Sequence, residues 1–258
     1  NTCTRMLKSK IKNIHGGTLD VLGLAIICGD YPPGSKLPPE QKLCDEIGVS
    51  RTILREVVKS LVAKGLISTG PKIGTLVLPR EHWNWFDAQV VGWQSSIGFD
   101  PKVLDDLQEL RAIIEPEAVR LAAVRATDEE IEALATAYRG MEDAVMRNSD
   151  DDYITHDYDF HLGLLRASHN SMFLQMGIAL GAMLREAFLI TTRTPDKGIA
   201  RSLPYHLKIV EMIQARDADG AYASSRHQIF LAQRDVHDVL IGSQNSPPSD
   251  TKRLKRTR

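Results

Sequence analysis

Residues 31–79, YPPGSKLPPEQKLCDEIGVSRTILREVVKSLVAKGLISTGPKIGTLVLP, decide the fold. Over residues 29–40, four prolines and two glycines interrupt any hydrophobic period and mark turn chemistry. Glu40–Ile47 then reads as a helix with Leu43 and Ile47 one turn apart. Gly48 suits the left-handed position after that helix, and Ser50 suits the N-cap of the next. The next helix, Arg51 to Lys64, turns Leu54, Val57, Val58, Leu61 and Val62 to one side, and Gly65 ends it. The runs LIST and TLVLP flank a Gly/Pro turn and read as a hairpin. With a short amphipathic helix over residues 18–28, the order helix, helix, turn, helix, hairpin is a winged helix-turn-helix.

In such a unit the third helix enters the major groove with its N-terminal residues leading. Here those are Arg51, Thr52 and Arg55, opposite the apolar stripe, with Ser50 at the cap. Arginine grips guanine O6 and N7 with two parallel hydrogen bonds, or binds phosphate. Lys72 at the wing tip is placed to reach the DNA backbone or the minor groove. Charge agrees with this reading. Residues 1–80 carry 12 Lys/Arg against 6 Asp/Glu, while residues 81–245 carry 15 against 26. A basic head on an acidic body predicts that the head alone meets a polyanion.

The body reads as all-helical. Residues 76–96 hold Trp83, Trp85 and Trp93 and are expected to be a linker docking onto the second domain. From Pro101 six helices are predicted: 101–125, one opened by the capping box Thr127/Glu130, 150–168, 171–191, 202–215 and 217–240. Short connections make them an antiparallel bundle. The domains are thus expected as 1–78 (DNA-binding head), 79–100 (linker), 101–243 (helical body) and 244–258 (a disordered basic tail).

Polar residues fall on the apolar faces of this bundle. Asp157 and His161 share a face with Leu164 and Leu165; His206 shares one with Ile209, Val210 and Ile213; His227 is read on a face with Ala223, Phe230 and Leu231. Burying such groups unpaired costs several kcal/mol, roughly 2–7 for each neutral one. A divalent metal resolves the conflict by taking neutral imidazoles and a carboxylate, with positions open for water or a ligand. Zn²⁺ is the expected ion, and Ni²⁺ and Mn²⁺ accept the same ligand types.

These motifs resemble a known family. The pattern G-x-x-L-P-x-E, then L-x-x-x-x-G-V-S-R, then R-E with a following L-x-x-x-G-L-I is similar to the DNA-binding domain of the GntR superfamily of bacterial transcription regulators. The resemblance implies that Arg51 and Arg55 contact operator bases. Many members of the fatty-acid-responsive branch have a DNA-touching arginine after the LPPE glutamate, where this chain has Gln41. DYDFHLGLLRASHN, LPYHLKIVEMIQARDADGA and SSRHQIF resemble the FCD ligand-binding domain of the FadR-type subfamily. That resemblance implies metal ligands at Asp157, His161, His206 and His227, and an effector carboxylate at Arg111 of LRAIIEPEAVRLAA. Thr191, Thr192 and Arg193, closing the fifth body helix, are candidates for hydroxyl contacts to the effector. The connector resembles the branch that regulates sugar-acid operons.

The implied protein is no enzyme. It is a cytoplasmic, homodimeric repressor on a pseudo-palindromic double-stranded DNA operator, released when a small hydroxy-carboxylate such as a sugar acid binds at the metal. A metal-dependent enzyme and a regulator with a purely structural metal are the alternatives. Three cysteines without metal spacing, no signal-like apolar N-terminal run and no membrane-length apolar stretch agree with the cytoplasm.

Overall fold

The structure is a computed structural model and describes residues 14–71, 73–192 and 198–244. Two compact units are present: the described part of Asn1–Asp100 with Gln175–Glu186, and the described part of Pro101–Leu174 and Ala187–Arg258.

In the first unit, α1 (Ile14–Ile27), α2 (Glu40–Ile47) and α3 (Arg51–Ala63) precede an antiparallel hairpin of β1 (Ile67–Gly70) and β2 (Gly74–Val77), paired Ile67 to Val77 through Gly70 to Gly74. Gly48 adopts φ +81° after α2, and Ser50 Oγ accepts from Ile53 N at 3.4 Å at the start of α3. The proline-rich stretch adds a short edge to the wing. Leu37 N donates to Thr75 O, and Val77 N to Ser35 O, both at 2.9 Å. Leu54, Val57 and Leu61 of α3 are buried against Leu22, Ile26, Leu43 and Ile67, whereas Val58 is half-buried and Val62 exposed.

Residues 79–100 are structured and belong to this same unit, which corrects the expectation that the aromatic connector docks onto the second domain. A 3₁₀ turn, Arg80–His82, leads into α4 (Ala88–Ile97). Trp83, Val90 and Trp93 lie in the head's own core with Leu19, Leu22 and Ile26. The cause is local fit. Gly23 leaves the hollow that the Trp93 ring fills, since a Cβ there would meet the ring at 2.5 Å. The Trp93 indole N–H donates to Asp20 Oδ1 at 2.9 Å. Asp87 caps α4 by accepting from Gln89 N and Val90 N, and Lys64 at the end of α3 grips both of its carboxylate oxygens at 2.8 Å. Burial pushes the Asp87 carboxyl up, but the Lys64 hydrogen bond and the Val90 N–H outweigh it and hold the group below its ordinary value.

The second unit is built from α5 (Pro101–Arg125), α6 (Asp128–Arg147), α7 (Asp150–Ala167), α10 (Gly198–Gln214) and α11 (Ala218–Gln244). Its core joins Val119, Ala122 and Ala123 of α5 to Leu134 and Met141 of α6, Phe160 and Leu164 of α7, Ile209 and Ile213 of α10, and Ala221 of α11. The alanines let α5 lie close to its neighbours. The capping box at Thr127 and Glu130 is formed in both directions, at 3.2 and 2.9 Å. The helix expected over 171–191 is two helices, α8 (Ser171–Ala179) and α9 (Gly181–Thr192), broken at Leu180 before a glycine, which disfavours continuation. No single helix among the described residues is long and apolar enough to cross a membrane.

Candidate metal centre and candidate nucleic-acid interface

Local helix geometry explains the polar cluster. Asp157 and His161 sit four apart on α7, so both project from one face into the bundle, and His206 meets them from α10. One atom from each of these three side chains lies within 4.8 Å of the other two. Asp157, His161, His206, Arg111, Glu115 and Gln228 are all at most 5% exposed.

The partners of the two histidines fix which nitrogen faces the cluster. His161 Nδ1 is 2.7 Å from Glu115 Oε2, a carboxylate, and His206 Nδ1 is 2.9 Å from the Ser202 carbonyl oxygen. Both partners only accept, so both Nδ1 atoms donate and both Nε2 atoms turn to Asp157. His206 Nε2 lies 3.1 Å and His161 Nε2 3.5 Å from Asp157 Oδ1. Despite these distances, Asp157 Oδ1 and His161 Nε2 make no hydrogen bond. A buried carboxylate oxygen and a buried imidazole nitrogen left in this way mark a place that attracts positive charge. Carboxylate oxygen with two imidazole nitrogens, each nitrogen backed by an acceptor on its far side, is metal-ligand chemistry, so the residues fit a divalent ion.

Electrostatics point the same way. Burial would raise the Glu115 carboxyl, but Arg111 and His161 outweigh it and hold it at about 2. Burial also raises the Asp157 carboxyl, and the adjoining His161 and His206 imidazoles outweigh it and bring it well below the usual carboxylate range. Burial lowers the His161 imidazole, and the Glu115 charge and hydrogen bond, with the Asp157 carboxylate beside it, raise it to about 9. A proton on His161 Nε2 and a metal ion are alternative answers to the same demand.

His227 is not brought to this cluster. It is exposed and tilts against Tyr205, with ring centroids 5.1 Å apart. The buried face of α11 runs through Ala221, Ser225, Gln228, Ile229 and Val236, which is one residue out of step with the face assigned to His227, and Phe230 is 60% exposed. Gln228 therefore stands where a fourth group was expected, its Nε2 3.4 Å from His206 Nε2.

Arg111 is buried beside the cluster but already committed. Its Nε and Nη2 reach the two oxygens of Glu115 at 2.5 and 3.4 Å, Nη1 reaches Gln108 Oε1 at 3.3 Å, and the guanidinium lies 4.9 Å from the Phe188 ring centre. The sequence reading missed Glu115, which orients both Arg111 and His161. Its i+4 spacing from Arg111 was the available signal. Of the other effector candidates, Thr192 returns its hydroxyl to Leu189 O at 2.8 Å, and the Thr191 side chain and Arg193 lie outside the described residues. A narrow cleft with about 30 Å³ of free space, room for a water or two, adjoins the cluster. Besides Asp157, His206 and Gln228, it is lined by Tyr153, Ser202, Tyr205, and the paired Arg201 and Asp235.

On the first unit, the exposed N-terminal end of α3 carries Arg51, Thr52 and Arg55 together, as expected. Arg51 donates to Gln41 Oε1, with its Nε at 3.1 Å, and Gln41 Nε2 in turn donates to Asp45 Oδ1 at 2.9 Å. Arg55 Nε lies 3.2 Å from Glu40 Oε2, the glutamate of LPPE. Glu40 was not among the expected site residues. The α2 side chains thus hold both arginines in place at the surface. Lys72 lies outside the described residues.

Comparison with known proteins follows this division. The pattern described as "Bacterial regulatory proteins, gntR family" matches residues 20–77, and the FCD domain matches residues 106–230. The galactonate operon transcriptional repressor of Escherichia coli K12 is 32% identical over 84% of this chain and 94% of its own. The Glc operon transcriptional activator of the same organism is 26% identical over 84% of this chain and 86% of its own. Among solved structures, Lar of Listeria monocytogenes shares the fold, with a TM-score of 0.62 at 18% identity, covering 89% of this chain and 99% of that one. The chain belongs to the gntR family of bacterial regulatory proteins, as an FCD-domain member that regulates transcription through its winged helix-turn-helix head.

Proposed function

We propose that this regulator is a cytoplasmic homodimeric repressor that leaves its operator when a small hydroxy-carboxylate, such as a sugar acid, binds at a divalent metal in the second unit. The observation that carries the reading is the convergence of Asp157 Oδ1 with the Nε2 atoms of His161 and His206, beside a narrow polar-lined cleft. Asp157, His161 and His206 would hold the ion, Zn²⁺ by preference, with Ni²⁺ or Mn²⁺ as other ions that suit the donors. When bound, the ion supplies a Lewis-acidic point that a carboxylate and its neighbouring hydroxyl can chelate.

The chain's own residues do the rest. Glu115 and the Ser202 carbonyl keep the imidazoles turned toward the ion. Ser202 and Tyr205 offer hydroxyls to the effector. Arg201, across the cleft and paired with Asp235, is the cationic side chain on the lining and takes a second anionic or hydroxyl oxygen. Arg111, which the family resemblance puts in that role, here steadies Glu115 instead. The galactonate-operon relative supports a sugar acid as the effector class, and the activator relative shows that the name alone does not set the sign. Effector and operator binding are coupled, so an acid that loosens the operator must bind more weakly to the operator-bound protein, by the same factor. Titrating metal-loaded protein with galactonate and with galactose, by calorimetry, tests the reading. The acid is expected to bind and the neutral sugar to give no measurable heat. Equal binding of both would overturn it.

A further inference from the structure

We infer that the amide oxygen of Gln228, and not an imidazole from His227, is the fourth protein donor to the metal, giving a set of two imidazoles, one carboxylate and one amide. This rests on the metal reading above and adds a ligand that neither the family resemblance nor the three-residue cluster includes.

Gln228 is 5% exposed, and its Oε1 is buried without a hydrogen-bond partner. A buried amide oxygen left so loses the hydrogen bonds it made to water. The other end of the same amide, Nε2, stands 3.4 Å from His206 Nε2, the lone-pair nitrogen that the Ser202 carbonyl turns toward Asp157. So Gln228 reaches the rim of the cluster at a ligand atom. Three buried atoms at this rim lack hydrogen-bond partners: Asp157 Oδ1, His161 Nε2 and Gln228 Oε1. One cation answers all three. Once His206 Nε2 gives its lone pair to the ion, it no longer accepts from the Gln228 amide. Turning the amide about its last bond then presents Oε1, and this torsion is soft and roughly two-fold.

The register of α11 supports the assignment independently. Ser225, Gln228 and Ile229 lie on the buried face, while His227 is exposed and lines a separate surface hollow with Tyr222, Arg226 and Phe230. Bringing His227 to the cluster requires about 100° of helix rotation, which would expose Ile229, now fully buried. The chemical consequence is a harder donor set. Replacing an imidazole by an amide oxygen weakens the preference for Zn²⁺ over Mn²⁺ relative to a three-histidine site.

The test is metal binding by the full chain, with Co²⁺ as the spectroscopic probe and a chelator competition for affinity. The variants are His227→Ala, Gln228→Leu and Gln228→Glu. His227→Ala is expected to bind as wild type. Gln228→Leu should bind about 10–100-fold more weakly, and its visible Co²⁺ bands should shift. Gln228→Glu keeps an oxygen at the same position but has no N–H to give, so it is expected to bind at least as tightly as wild type. If Gln228 served only to donate to His206, its removal would free that lone pair, Gln228→Leu would bind at least as tightly as wild type, and that result overturns the inference. Wild-type affinity and spectrum in Gln228→Leu, or loss of metal in His227→Ala, would do so as well. Wild-type protein that takes up no Co²⁺ overturns the metal reading itself. Metal-free thermal unfolding of each variant separates lost ligation from lost fold.

Discussion

Glu115 shows how much of the centre hangs on one carboxylate. It neutralises Arg111, accepts from His161 Nδ1, and is buried on all sides. Removing one partner of a buried ion pair costs more than the pair contributes, because the other charge is left unpaired. Glu115→Gln should therefore destabilise the second unit by about 3–5 kcal/mol. It should also weaken metal binding by about 10–100-fold, because His161 loses the acceptor that aims it. Denaturant unfolding and chelator competition read the two effects. An unchanged stability would show that Arg111 finds another counter-charge. At the other end of the chain, Arg55 sits exposed at the head of α3, held by Glu40. Arg55→Ala should cost about 1–3 kcal/mol at the cognate site and relax discrimination, against a smaller loss on random DNA. Equal binding of both DNAs by wild type and variant would remove α3 from the recognition surface. The arginines were legible in the sequence because their helix has unmistakable ends. Glu115 was not, since an acidic residue inside a long helix with a moderate apolar stripe reads as an outer face until its partner from α7 is in view.

At the scale of elements, the capping box opening α6 is the sharpest local signal in the chain, and the structure forms it as read. Thr127→Ala should cost about 1 kcal/mol. Burial raises the Glu130 carboxyl, but the Thr127 backbone N–H and the His169 hydrogen bond outweigh it and leave it below its ordinary 4.5. A depressed carboxyl adds stability that is present above its unfolded value and is lost as pH falls through the folded one. The gap in Tm between wild type and Glu130→Gln should therefore narrow from about pH 6 to about pH 3. A constant gap would mean the contribution is not ionic. The helices α2, α3, α5 and α7 begin where capping and periodicity place them, and α11 shows where such reading fails. In RHQIF, three adjacent polar residues and two adjacent apolar ones allow either of two faces. Choosing the face that carries His227 exposes Ile229 and buries Phe230, the reverse of what the packing selects. The connector failed for a related reason. Its tryptophans announce burial but not against which unit, and the hollow at Gly23 that settles the matter lies 70 residues upstream of Trp93. Gly23→Ala should destabilise the head by about 1–3 kcal/mol through overpacking, read by thermal unfolding. A stability equal to wild type would show that the indole can withdraw.

For the molecule as a whole, the division of charge and of chemistry is the same division. The basic unit carries the exposed arginines of α3, and the acidic unit carries the buried histidines and carboxylates. Two measurable equilibria, ligand at the second unit and DNA at the first, are linked if the proposed mechanism holds. The most direct test is an anisotropy titration of metal-loaded protein on an operator obtained by selection from random duplexes, with and without galactonate, repeated after removing the metal with a chelator. The account predicts that the acid weakens operator binding in the loaded protein, and has no effect once the metal is gone. Equal release with and without metal, or operator affinity unmoved by the acid in loaded protein, would contradict it.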